Sequence, residues 1–145
     1  MTFALNYLKT GDRARAIRTL EKAKEFVKSI AEKNGMILFV GSKSEAQEAI
    51  KKAANALNMP YVAGRWIGGT FTNFPQIRKR VERLEMLTSQ REKGELGKYT
   101  KKERLLIDRE IDKLREFFFG LSVMKSLPQA LFVIDAKKES IAVKE

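Results

Sequence analysis

The apolar positions of this chain change period several times, and each change marks a different kind of element. Over residues 12 to 33, Ile17, Leu20, Ala23, Val27 and Ile30 recur at three and four, the spacing of a helix that buries one stripe. Arg13, Arg15, Arg18, Lys22, Lys24 and Lys28 make its other face basic. Asn34-Gly35 is a helix-stop signal. "MILFVG" follows at once, apolar without alternation, as a parallel strand buried on both faces requires. After Gly41, "SKSEAQEAIKKAANAL" predicts a second helix running to about Leu57. Ser42 stands three before Glu45 and Ser44 three before Gln47, both in capping-box spacing. "MPYVAG" predicts a short second strand, "ALFVID" over 130–135 a third, and "AKKESIAVKE" a further turn and helix start. Strand, tight turn and helix in alternation give an α/β class with a parallel sheet and right-handed crossovers.

Residues 75–119 interrupt that alternation. Ile77, Val81, Leu84 and Leu87 form one apolar seam, and Ile107, Ile111, Leu114 and Phe118 form a second at four, three and four, both heptad-like. Thr100 with Glu103 three residues on is another capping box. "KGELGKY", with Gly94 and Gly97, separates two stretches of nearly equal length. Equal lengths and a short glycine-containing link predict an antiparallel helical hairpin projecting from the domain. The predicted organisation is an α/β domain made of residues 1–74 and 120–145, with the hairpin at 75–119 inserted into it.

Charge adds a partner class to this outline. The chain has 145 residues, 29 of them Lys or Arg and 18 Asp or Glu, a net charge of +11. That balance favours a polyanionic partner, nucleic acid first and anionic membrane second. Cysteine and histidine are both absent, which removes disulfides, thiolate metal sites, imidazole acid–base work and Ser-His or Cys-His catalysis. No apolar run approaches the roughly 20 residues that span a bilayer, and the first residues lack a core of signal-peptide length. A protein of a reducing, cytoplasm-like compartment is expected, with no membrane partner.

Three places carry candidate chemistry. The strand–glycine–helix at Gly41 to Ser44 could present amides to a phosphate, with Lys43 beside it. It has neither GxxxxGK[ST] nor GxGxxG spacing, so a capped crossover helix is the plainer expectation. Asp135 ends a strand at the carboxyl edge of the sheet, where doubly wound proteins place ligands. With no His or Cys partner and with Lys137 and Lys138 close by, it is expected to cap the following helix. An α/β nucleotide-binding enzyme or switch using Gly41–Ser44 and Asp135 is therefore the alternative reading, and a coiled-coil protein adaptor built on the hairpin is another.

The third place is "RWIGGTFTNF", Arg65 to Phe74, which runs straight into a basic helix start at Arg78, Lys79, Arg80 and Arg83. Two readings stand on composition. Glycines that allow close approach, hydroxyl and amide donors, and nearby cations are what an RNA backbone needs. Equally, Trp66 and Phe71 could anchor a structural corner, with Thr72 or Asn73 capping the next helix. The hairpin's 13 basic and 9 acidic residues also serve as helix-stabilising pairs on a solvated face.

"RWIGGTFTNFPQIRKRVERLE", with "ILFVGSKSEAQEAI" before it and "LPQALFVIDAKKESIAVKE" after it, resembles the bacterial small-subunit ribosomal protein S-two (uS-two) family from about residue 18 to the end. The resemblance implies a Rossmann-like (flavodoxin-like) parallel sheet, here incomplete, with an inserted antiparallel α-helical coiled-coil hairpin. It implies no catalysis, no metal and no cofactor. The implied role is binding small-subunit rRNA and helping to dock the S-one protein, in a cytoplasmic ribosome or an organellar one of bacterial ancestry, without obligate homo-oligomerisation. Position by position, Arg65, Trp66, Gly68, Gly69, Thr70, Thr72 and Asn73 match the family's central motif. Arg78, Lys79, Arg80 and Arg83 match its basic helix start, and Lys43 a basic position after the first strand's glycine. The sequence departs from the family at both ends: it lacks a His-Phe-Gly-His segment and stops at Glu145, inside a helix expected to continue. A sheet of about three strands with exposed edges is expected to be marginal alone and to depend on RNA or neighbouring proteins.

Overall fold

The computed structural model describes residues 13–145; the expected helix start at residue 12 and the N-terminal departure from the family lie outside them. Three strands, β1 (Ile37–Val40), β2 (Tyr61–Val62) and β3 (Ala130–Val133), form one sheet in the order β2-β1-β3. Both ladders are parallel: Phe39 faces Tyr61 and Val40 faces Val62, while Ile37 to Val40 run in register with Ala130 to Val133. The continuous apolar run of β1 is explained by its central place. Leu38 and Val40 point to one face and enter the core cluster, and Phe39 on the other face meets Phe132 at a ring distance of 5.3 Å. Pairing of β3 ends at Val133, two residues short of the predicted end; Ile134 donates a last amide to Val40 and Asp135 turns away with φ +63°.

The helices are α1 (Arg13–Glu32), α2 (Ser44–Ala56), α3 (Phe74–Glu92), α4 (Lys101–Phe118) and the short α5 (Ser140–Lys144). The period of α1 predicts a helix correctly but overstates what covers it. Ala16 and Ile30 are buried, whereas Ile17 is 55% exposed and Val27 44%, because none of the other described elements packs extensively along this helix. Its end follows the expected signal with the roles reversed: Asn34 takes the left-handed conformation, φ +51°, and the Gly35 amide returns to the Ile30 carbonyl at 2.8 Å.

The two capping boxes expected before α2 are not formed. The helix starts at Ser44 with Lys43 in the cap position and no side-chain cap bond. Ser42 is taken instead by a distant acceptor: its amide and hydroxyl both donate to the Glu139 carboxylate, so a long-range charge outcompetes the local cap. At Thr100, where nothing competes, the box is complete. Glu103 donates its amide to Thr100 Oγ1 at 3.3 Å and its carboxylate accepts the Thr100 amide at 2.8 Å.

Helices α3 and α4 have 19 and 18 residues and pack on each other. The predicted seam Ile77, Val81, Leu84, Leu87 is buried, as are Ile111, Leu114 and Phe118, and Arg83–Glu110 and Arg91–Asp108 bridge the two helices. The connection is a left-handed Gly94, φ +70°, followed by a 3-10 turn over Glu95–Lys98 that buries Leu96. One core cluster runs from Leu38 and Val40 through Trp66 and Ile77 to Leu87 and Ile111. The helix pair and the sheet therefore share their apolar interior.

Where α4 returns to the sheet, a 3-10 turn over Phe119–Leu121 presses against β2. A Cβ on Gly120 would lie 2.2 Å from the Tyr61 carbonyl oxygen and 2.7 Å from its ring, so only glycine fits. One at Gly97 would meet nothing within 4 Å. Gly120→Ala is expected to cost about 1–3 kcal/mol through overpacking, and Gly97→Ala far less. Equal urea midpoints for the two variants would show that the turn does not press on β2 in solution.

Candidate nucleic-acid interface

The segment from Ala63 to Phe74 is held from inside by one carboxylate. Glu145 accepts from the Trp66 indole Nε1 at 3.0 Å, from the Phe71 and Thr72 amides at 2.9 Å each, and from Thr72 Oγ1 at 2.8 Å. Buried Trp66 also meets Phe71 edge-on at 5.3 Å. Thr70 is 1% exposed and donates its hydroxyl to the Ile67 carbonyl. Gly69 sits at φ +89°, a left-handed conformation that a side chain would strain. Asn73 occupies the cap position of α3, but its side chain makes no cap bond. The helix is instead started by the Asn73 carbonyl, which accepts the Gln76 and Ile77 amides, and by Pro75 in its first turn.

Within this motif the polar atoms of Trp66, Thr70 and Thr72 thus turn inward. Arg65, Gly68 and Asn73 are exposed, and so is Thr72, although its amide and hydroxyl are held by Glu145. Gly68 is a glycine without an internal reason: its φ is not positive, and a Cβ there would meet nothing within 4 Å.

The basic helix start divides in the same way. Arg78 pairs with Glu82 at 3.3 Å and reaches the Ser122 carbonyl at 3.5 Å. Arg83 grips Glu110 with two nitrogens, at 3.1 and 3.3 Å, and this carboxylate holds its guanidinium pKa above the ordinary value. Lys79 and Arg80 are exposed and have no ion-pair partner among the described residues.

Lys43 lies apart from this loop in sequence, at the carboxyl end of β1. Its Nζ is 2.6 Å from Asp135 Oδ2; the hydrogen bond to Asp135 raises the lysine pKa, and the same contact lowers that of the aspartate. Asp135 does not cap α5 as expected. Its carbonyl and side chain close the turn before that helix, accepting the Lys138 and Glu139 amides. Between β1 and β3 the chain order reverses, the place where open α/β sheets bind ligands. Here that place is filled by the protein itself, with the Ser42 amide on Glu139 and Lys43 on Asp135. The Ser42 amide is already used and Lys43 is paired, which weighs against the nucleotide-binding alternative.

Sequence reasoning missed Glu139 and Glu145, and with them the fixing of both loops. Neither has a local signal, since their partners lie 97 and 73 to 79 residues away. Burial alone would raise the Glu145 pKa. The amides of Thr72 and Phe71, the Thr72 hydroxyl and the Trp66 indole outweigh it and bring the value to about 2, from an ordinary 4.5. A folded-state pKa below the unfolded one contributes stability that is present above about 4.5 and fades as pH falls towards about 2. Trp66 is the chain's one tryptophan and reports this loop. Its emission is expected to titrate with a midpoint well below 4.5, and Glu145→Gln should remove that transition; an unchanged titration in the variant would rule out the tie.

A family model described as ribosomal protein S2 matches residues 12–145. The match takes in both loops, the basic helix start, Glu139 and Glu145, so it covers nearly the whole chain and not one motif. The chain belongs to the ribosomal protein S2 family, whose members are structural proteins of the small ribosomal subunit acting in translation.

Proposed function

We propose that this chain binds small-subunit ribosomal RNA through the outward face of the Arg65–Asn73 loop and the first turns of α3. The observation that carries the reading is the contrast between paired and free cations. Arg78 and Arg83 are neutralised by Glu82 and Glu110, while Lys79 and Arg80 stand exposed and unpaired directly after the loop. A phosphate backbone is the partner such charges suit, since contacts to it come mainly from Arg, Lys and small polar groups. Arg65 and Asn73 add a charge and an amide, and Gly68 leaves room for close approach. Trp66, Gly69, Thr70 and Thr72 serve as the frame holding that face in shape. Lys43 would meet phosphate only in exchange for part of its pairing with Asp135.

In this reading the sheet and its flanking helices are the Rossmann-like (flavodoxin-like) portion, residues 1–74 and 120–145. Residues 75–119 are the inserted coiled-coil hairpin, and the protein works in cytoplasmic ribosomes. The hairpin is the surface that helps dock the S-one protein. A cavity of about 340 Å³ between α3 and α4, lined by Met86, Tyr99 and Leu106, offers an apolar seat, and Met86 and Leu106 are exposed beside it.

Binding to small-subunit rRNA is expected to survive an excess of unrelated structured RNA and to weaken steeply with salt. A Lys79→Gln, Arg80→Gln double variant should flatten the slope by about one to two, because each phosphate neutralised by a side chain accounts for roughly 0.7–0.9 of it. Equal displacement by the unrelated RNA would sink the assignment. Leu106→Asp is expected to abolish capture of purified S-one protein with rRNA affinity unchanged; undiminished capture would move the docking surface elsewhere.

A further inference from the structure

A cavity of about 540 Å³ opens at the carboxyl end of β2, between α2 and the last turns of α4. Its wall carries Lys51, Arg65, Arg115, Asp112, Glu116 and Phe119. Not one of these five charged groups is in an ion pair among the described residues, although cations and acids line the same space. Phe119 is 48% exposed, and the Arg115 guanidinium carbon lies 5.4 Å from its ring centre. The ring does not join the core beside Phe118 and Leu121 because the fit of Gly120 against Tyr61 fixes the turn and directs Phe119 outward.

These groups match the separate parts of one ligand. An exposed aromatic ring with an arginine over it is a stacking platform for an unstacked base. Lys51 and Arg65 at the rim suit phosphate. Asp112 and Glu116, one helical turn apart on α4, offer acceptors only. Guanine alone among the bases presents two adjacent donors, N1–H and the 2-amino group, to a carboxylate. Adenine and cytosine set an acceptor beside their amino group, and uracil flanks its N–H with two acceptors. We infer that this cavity receives an unpaired guanine nucleotide of the bound RNA, a deepening that rests on the RNA-binding reading above.

The test uses the full chain in solution, with backbone amide NMR at Gly64, Arg65 and Gly120 as the readout. The probes are a short single-stranded RNA with one guanosine among uridines, the same length of oligouridylate, and free guanosine monophosphate. The guanosine-containing RNA is expected to shift these amides at concentrations at least ten-fold below the other two. Phe119→Ala should weaken that response about ten-fold or more, from removal of one stacking platform, and Asp112→Asn with Glu116→Gln should erase the preference over oligouridylate. Equal response to oligouridylate overturns guanine recognition, and equal response to the free nucleotide overturns the RNA source. No response from any probe while small-subunit rRNA still binds with a steep salt dependence overturns the cavity alone. Loss of rRNA binding as well would take the RNA-binding reading with it.

Discussion

The loops after β1 and β2 depend on carboxylates that satisfy backbone amides across long sequence separations. Glu145 gathers four donors from the loop after β2, and Glu139 gathers two from the loop after β1. Loops rich in glycine and small polar residues lose much conformational entropy on ordering, and amides left unpaired near a core carry a desolvation cost. One anion accepting several donors meets both demands at once, because charge-assisted bonds are roughly twice as strong as neutral ones. Both acids come from the segment that follows β3, so the loops that precede the helix pair and the chain that follows it are fixed together.

Other carboxylates hold part of the chain's positive charge in place. The carboxylates of Glu82, Glu110 and Asp135 hold Arg78, Arg83 and Lys43 in set directions. Exposed pairs of this sort add little stability individually, so their use lies in orientation. Many described cations have no ion-pair partner; Lys79 and Arg80 on α3 and Lys51, Arg65 and Arg115 around the cavity beside β2 differ from the rest by lying next to the loop and the cavity. Net charge alone favours an acidic partner; the ion pairs add which cations the fold already uses.

Much of the architecture was legible in the sequence because it follows from local period and local caps. The buried run of β1, the two seams of α3 and α4, and the Thr100–Glu103 box all read directly. What failed was decided by tertiary context. Ile17 and Val27 have helical spacing yet remain exposed, since period reports the shape of an element and not what lies beside it. Ser42 and Ser44 carry the spacing of capping boxes, but the Glu139 side chain reaches Ser42 first. In the loop, composition proposed Trp66, Thr70 and Thr72 together with Arg65, Gly68 and Asn73, and could not tell inward from outward. That distinction required the position of Glu145, which no nearby residue announces.

The glycines show the same limit from the other side. Gly68 and Gly69 are adjacent, and Gly120 is far away, yet the physical reasons run in a different order. Gly69 is needed for its positive φ, and Gly120 because the Tyr61 carbonyl occupies the space of a side chain. Gly68 meets neither condition: its backbone is unstrained, its surroundings are open, and the fold would accept a methyl group there. Gly97 meets neither condition either, so open space alone marks no site; what sets Gly68 apart is its place on the exposed edge of a loop tied down by Glu145. In the RNA-binding reading proposed above, the room beside Gly68 is where a backbone would approach closely, with Arg65 on one side and Asn73 leading to Lys79 and Arg80 on the other.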